Sequence, residues 1–167
     1  LFILALVVIG IFGAGPVTVF GVTLPGVVKI IGLIAVAAIP LFARVARAAT
    51  LVERQEDYVD ALRVIGVSRI RILFGEILVN VLPPVLVQAF IWMAIAVFAE
   101  AALGFLGLGV QPPQPTLGNV LLEARGYVLL GAWWFPVFPG FLLFAVIVGF
   151  NLLGDGLSDL LDPALRA

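Results

Sequence analysis

Cysteine and histidine are both missing from these 167 residues. Without thiols there are no disulfides, no thiolate catalysis and no cysteine-held zinc. Without imidazole the commonest general base and metal ligand is gone. Charge is also scarce: charged residues make up 11% of the chain and hydrophobic residues 63%, whereas an ordinary soluble domain carries about 25% charged residues. The mean hydropathy is +1.27. A chain of this length can bury one core but lacks the charges to coat it. Its apolar residues come in runs rather than stripes, so the surrounding solvent is lipid. The net charge of −1 decides little, because placement matters more than sum in a membrane protein. The chain opens at Leu1 inside an apolar run, with neither Met nor a basic leader region. A signal peptide does not fit, and the expectation is a chain truncated within a spanning helix.

What is present is a set of four spanning candidates. The first runs from Leu1 to about Phe12 and is short, since a full crossing needs roughly 20 residues. Gly13-Ala14-Gly15-Pro16 breaks it, and a connector reaches Pro25-Gly26. The second runs from about Val27 to Ala43 with a kink expected at Pro40, the third from about Ile72 to Phe98, and the fourth from about Gly131 to Leu153. A long connection, Gly104 to Tyr127, joins the last two. Arg44, Arg47, Arg54, Arg63, Arg69 and Arg71 fall between the second and third spans, out of nine Lys and Arg in total. The positive-inside rule therefore makes 44–71 cytoplasmic, 13–28 and 104–130 external, and the C-terminal tail cytoplasmic. The fold class expected is an all-α integral membrane protein with about four transmembrane helices and a cytoplasmic helix–Gly–helix loop. Residues 1–167 read as one transmembrane domain, N-terminally incomplete, with the loop at 53–71.

That loop is the most informative stretch. Tyr58, Ala61, Leu62 and Ile65 lie at i, i+3, i+4 and i+7, one helical stripe. Gly66 ends the helix as a left-handed residue, and Ser68 is placed to cap the next one. There Ile70, Leu73, Phe74 and Ile77 repeat the stripe into the third span. Pro83 removes a backbone donor and crowds the carbonyl of Val79, so Pro83-Pro84 reads as a hinge. An amphipathic loop of this kind suits either lipid headgroups or a protein groove. The acidic cluster Glu53, Glu56, Asp57 and Asp60 suits an anionic leaflet poorly and favours the groove.

With these residues in view, the sequence resembles a family. Asp60-Ala61-Leu62, three residues, Gly66, then Asn80-Val81-Leu82-Pro83 is similar to the EAA loop of ATP-binding-cassette importer permeases, most closely the branch importing dipeptides, oligopeptides or nickel. Residues 100–109, followed by Gln111-Pro112-Pro113 and Gly118-Asn119, resemble that branch's connection before the last span. Asn151-Leu152-Leu153-Gly154-Asp155-Gly156-Leu157, with Asp159 and Leu161-Asp162-Pro163, resembles its C-terminal signature. The departures are Asp60 for Glu, Leu62 for Ala, and four spans where the family usually has six. The resemblance implies a permease subunit forming the translocation path, with its coupling helix at Tyr58, Asp60, Ala61, Leu62, Arg63 and Gly66 seated on a separate ATPase. It further implies a second permease subunit (identical or not), two ATPase subunits and an extracytoplasmic substrate-binding protein, in a bacterial or archaeal cytoplasmic membrane. The alternative is an ion-coupled secondary transporter or a channel subunit. The uncharged stretch between Lys29 and Arg44, and a fourth span uncharged before Asp155, argue against it.

Outside the loop, the residues suggest contacts rather than chemistry. There is no phosphate loop: Gly21 to Gly26 has the glycine spacing but Val27 and Val28 follow. No nucleophile–base pair can be named, and no catalytic residue, metal, cofactor or nucleic-acid site is expected. Asn80 and Glu100 are candidates for the translocation path. Glu100 reads either as a contact for a cationic or amino-terminal substrate group or as an interfacial acid reaching water. Asn80 reads as a partner for the carbonyl freed by Pro83. Tyr127, Trp133 and Trp134 read as an interfacial aromatic belt. Leu157, Leu160 and Leu161 suggest a short tail helix ended by Pro163.

Overall fold

The structure is a computed structural model describing Val7 and residues 17–19, 22–111 and 113–161. Apart from Val7, the first spanning candidate and its Gly13–Pro16 break lie outside the described residues. Two short strands, β1 (Val17–Val19) and β2 (Val22–Leu24), pair antiparallel with Thr18 opposite Thr23. This hairpin is not expected from the sequence. Five helices follow: α1 (Gly26–Glu53), α2 (Asp57–Val64), α3 (Arg69–Phe105), α4 (Leu117–Leu129) and α5 (Trp134–Leu161). Among the described residues α1, α3 and α5 are long and apolar enough to cross a bilayer. The helical, membrane-type fold holds.

The spans run longer than expected. α1 passes Pro40 and continues through the arginine segment to Glu53. α5 absorbs the tail stripe, so Leu157, Leu160 and Leu161 extend a span rather than form a separate helix. The connection after α3 contains α4, which the sequence reading treated as loop. Thr116 caps it, accepting a 3.2 Å hydrogen bond from the Asn119 backbone N–H. The stripe Leu117, Val120, Leu121, Ala124 and Val128 has helical spacing and carried that signal, with Gly118 and Ala124 on the buried side.

The chain forms two compact units. The first, Leu1–Ala38 with Met93–Gly149, packs backbone on backbone. A Cβ placed on Gly104 would lie 2.8 Å from the Gly118 Cα, and one on Gly109 would lie 2.5 Å from the Gly104 Cα. One on Gly118 would meet the Ala101 carbonyl oxygen at 2.6 Å. Three glycines thus let the end of α3, the following loop and the start of α4 share one contact. Asn119 Nδ2 ties the loop down by donating to the Val110 carbonyl at 2.6 Å, and Leu103, wholly buried, packs with Leu33 and Leu108. Nearby, Trp133 and Trp134 stack edge to face with centroids 6.0 Å apart, and Tyr127 packs on Phe135.

The second unit, Ile39–Trp92 with Phe150–Ala167, contains the loop. Its core joins Val59 of α2 to Ile72, Ile77 and Val81 of α3, with Ala49, Leu62, Val67 and Val85 against them. Gly154 of α5 is also buried here, where an added Cβ would approach the Phe90 Cβ to 3.2 Å.

Candidate functional site

The site is built from the end of α1, α2 and the first turns of α3. α2 ends as Gly66 suggested. Gly66 has φ +89°, its N–H donates to the Arg63 carbonyl at 3.0 Å, and the Val67 N–H reaches the Leu62 carbonyl at 3.1 Å. This pair of bonds is a complete Schellman cap. Leu62 and Val67, the residues it brings together, both pack on the Val59 core. An added Cβ at Gly66 would meet nothing within 4 Å, so the glycine is required by its dihedral angle alone. Ser68 holds the expected capping position, but its side chain makes no cap bond.

The stripe expected from periodicity is only half right. Val59, fully buried, is the anchor of α2, with Tyr58 and Leu62 beside it. Ala61 is exposed, and so are Val64 (87%) and Ile65 (78%). Ala61, Val64 and Ile65 lie at i, i+3 and i+4, an outward apolar strip bordered by Asp60 and Arg63. Those two pair at 2.6 Å in solvent, a contact worth at most about 1 kcal/mol.

The α3 stripe needs a larger correction. Residues Ile72–Ile77 form a π-helix, and the Leu78 N–H bonds to the Leu73 carbonyl five residues back. The buried positions are therefore Ile72, Ile77 and Val81, followed by Val85 packed against them, spaced five, four and four. The π turn inserts one residue into the helical register, which puts Ile72 in the core where a pure α-helix would put Leu73. Ile70, Leu73 and Phe74, expected to lock the helix down, are exposed. Such turns are rare and concentrate at functional sites. This one precedes Pro83 and Pro84, through which α3 continues.

Asn80 does not serve the Val79 carbonyl that Pro83 frees. Its Nδ2 donates to Glu53 Oε1 at 2.6 Å and to Tyr58 Oη at 3.2 Å, while the Tyr58 hydroxyl donates to Glu53 Oε1 at 2.5 Å. One carboxylate oxygen thus ties α1, α2 and α3 together. Burial, then the Glu53 hydrogen bond, raises the Tyr58 phenol above its usual range despite the opposing Asn80 bond; the negative charges of Glu53 and Glu76 add to the rise. The hydroxyl stays protonated and able to donate. Sequence reading missed Glu53 as the hub because nothing local distinguishes it from its acidic neighbours. Glu100 belongs to the other unit, where its Oε1 is buried without a hydrogen-bond partner among the described residues. Water reaching that oxygen is not what the packing offers.

These features define a multi-pass membrane subunit whose loop is fastened on one side and open on the other. The comparisons with known proteins agree. All of residues 1–167 match the family described as binding-protein-dependent transport system inner membrane component, and the chain belongs to that family, making it a multi-pass inner-membrane protein of the transport-permease type. It is 42% identical over 142 residues to the di/tripeptide transport system permease protein DppC of Pseudomonas aeruginosa, covering 85% of this chain and 46% of that one. It is 40% identical over 164 residues to the dipeptide transport system permease protein DppC of Escherichia coli K12, covering 98% of this chain and 51% of the relative. The Haemophilus influenzae dipeptide permease DppC is 44% identical over 133 residues, 80% of this chain and 45% of its own. The chain spans about half the length of the curated relatives it matches.

Proposed function

We propose that this chain forms part of the translocation path of an ATP-driven peptide importer, with α2 as the coupling helix that docks on a separate ATPase subunit. The observation that carries the reading is the asymmetry of α2. One face is fixed to α3 by the Val59 core, the Schellman cap and the Glu53–Tyr58–Asn80 network. The other presents Asp60, Ala61, Arg63, Val64 and Ile65 to solvent. A helix so held transmits a push to the span it is fixed to, and its open face is of the kind that fits a groove. The π turn and Pro83-Pro84 supply the place where α3 yields, the hinge of the alternating-access movement. The peptide substrate follows from the relatives, which are named as dipeptide and di/tripeptide permeases. A second permease subunit, two ATPase subunits and an extracytoplasmic binding protein complete the assembly, in a bacterial or archaeal cytoplasmic membrane. An ion-coupled carrier loses its support with the family assignment.

Glu100 takes the role of a contact for the ammonium group of a passing peptide. A buried carboxylate oxygen with no donor among the described residues supports this over an acid that simply reaches water, because a buried polar atom without a hydrogen-bond partner is costly until one arrives.

The test is charge reversal on the open face. Asp60→Lys, assayed in the assembled importer, is expected to reduce both ATPase co-purification and peptide uptake while membrane insertion is unchanged. Normal association and uptake would remove α2 from the coupling role.

A further inference from the structure

The start of α3 carries two apolar stripes where a helix needs one. The observed core uses Ile72, Ile77 and Val81, a register that depends on the π turn at Ile72–Ile77. Ile70, Leu73, Phe74 and Ile77 form a second stripe, spaced for uninterrupted α winding. Three of its members are left exposed, Ile70 at 73%, Phe74 at 64% and Leu73 at 41%. Ile72 and Leu73 are neighbours of nearly equal volume, so either can fill the place beside Val59. There is room on that side, because Leu73 shares with Thr50, Val67, Ile72 and Ile77 the lining of an open cleft of about 720 Å³. Gly75, inside the π turn with open space around it, adds no side chain to resist rewinding.

The observed register is therefore selected from outside α3. Before the π turn, the Schellman cap and the packing of Val67 fasten α2 to the first residues of α3. After it, Asn80 Nδ2 donates to Glu53 Oε1 at 2.6 Å and to Tyr58 Oη at 3.2 Å. Asn80 sits between the π turn and Pro83, which has no N–H to give the Val79 carbonyl. Irregular backbone thus bounds that short segment at both ends, and its orientation rests on the bonds of Asn80 and the burial of Ile77 and Val81. An α-wound α3 would offset its first residues by about 100° against Asn80. Helix α2 could not then stay fastened on both sides. We propose that the start of α3 is a two-register element, and that Asn80, held by Glu53 and Tyr58, is the positioning residue that keeps it π-wound until α2 is displaced. The inference rests on the coupling reading of α2 and adds what its displacement releases. One winding buries Ile72 and the other Leu73, two discrete packings of the kind that turn a small shift into a switch.

This chain has no cysteine, so Ile72→Cys and Leu73→Cys, made one at a time in the assembled importer, report the register by their rates of maleimide labelling on this chain. With Asn80 in place, Leu73→Cys is expected to label fast and Ile72→Cys slowly. Adding Asn80→Ala, at an exposed position, is expected to raise labelling at position 72 about tenfold as the α-wound form becomes the main population, and to slow it at position 73. The two reporters weaken opposite registers, so a reciprocal change cannot come from the reporters themselves. Adding Glu53→Gln instead keeps an acceptor oxygen for Asn80 and should leave both rates near their starting values. ATP with vanadate is expected to move the rates as Asn80→Ala does. Unchanged rates with Asn80→Ala overturn the proposal. A rise at both positions also overturns it, because that is local unfolding and not a change of register. A reciprocal change with Asn80→Ala but none with nucleotide overturns the release by α2. Labelling reads the winding of α3 whereas Asp60→Lys reads association with the ATPase, so the two readings fail separately.

Discussion

Glycine does two different jobs in the two compact units. In the first unit, Gly104, Gly109 and Gly118 are required by distance: an added Cβ would land 2.5–2.8 Å from backbone atoms that cannot turn aside. In the second, Gly66 is required by angle, with φ +89° and open space around it. The first kind of site tolerates no side chain at all. The second tolerates any residue able to adopt the left-handed conformation. One unit is a close-packed backbone contact, and the other is a lever set at an angle and held by side chains.

Four substitutions probe that contrast. Gly118→Ala should have the largest effect. Its Cβ would contact both Ala101 and Gly104, and relieving backbone overlap of this kind is expected to cost about 3 kcal/mol or more. The expected outcome is a pronounced loss of folded protein in detergent, measured by fluorescence-detected size exclusion; a normal yield would mean that α4 is free to move away from α3. At Gly66 the outcome should depend on residue type. Gly66→Val is expected to cost about 2 kcal/mol and to uncouple transport, since β-branched side chains are poorly accepted at positive φ. Gly66→Asn should keep most of the activity, because Asn visits that region readily. Equal damage from both, read in uptake and ATPase assays, would point to a missing contact rather than an angle.

The smallest effect is expected at Tyr58. Tyr58→Phe removes the donor to Glu53 and should destabilise the loop by about 1 kcal/mol, visible as faster amide exchange in α2. The same bond gives a pH signature. The folded protein holds the Tyr58 proton more tightly than the unfolded chain. Above the ordinary tyrosine value near 10, the unfolded state therefore binds fewer protons. Stability from this group is complete below that value and is lost as pH rises beyond it. Wild-type loop protection should fall in that alkaline window and approach that of Tyr58→Phe. A gap that persists unchanged would show that the hydroxyl carries no weight.

Much of this was legible in the sequence because it rests on composition and local turn chemistry. Long apolar runs gave the spans at α1, α3 and α5, and Gly66 followed by Val67 and Ser68 gave the end of α2. What was not legible involves register and distance. The stripe through Ile70, Leu73 and Phe74 assumes a uniform period, and the π turn at Ile72–Ile77 shifts it by one residue. Nothing in the local sequence announces that shift, because it is settled by which isoleucines the core with Val59 accepts. Asn80 and Tyr58 are 22 residues apart, and their meeting on Glu53 depends on how three helices converge. Helix α4 is the reverse case. Its stripe was present all along but lay in a connection rich in Gly, Pro, Gln and Asn, of which Gly118 is a contact residue.

The extra residue in the π turn has one more consequence. A helix that carries an inserted residue can return to ordinary winding only by rotating everything on one side of the insertion relative to the other. If α3 regularised its hydrogen bonding during a transport cycle, Leu73 would swing inward as Ile72 swung out. The segment from Arg69 onward would then turn like a key, converting a small displacement of α2 into a rotation of the span that carries Pro83 and Pro84.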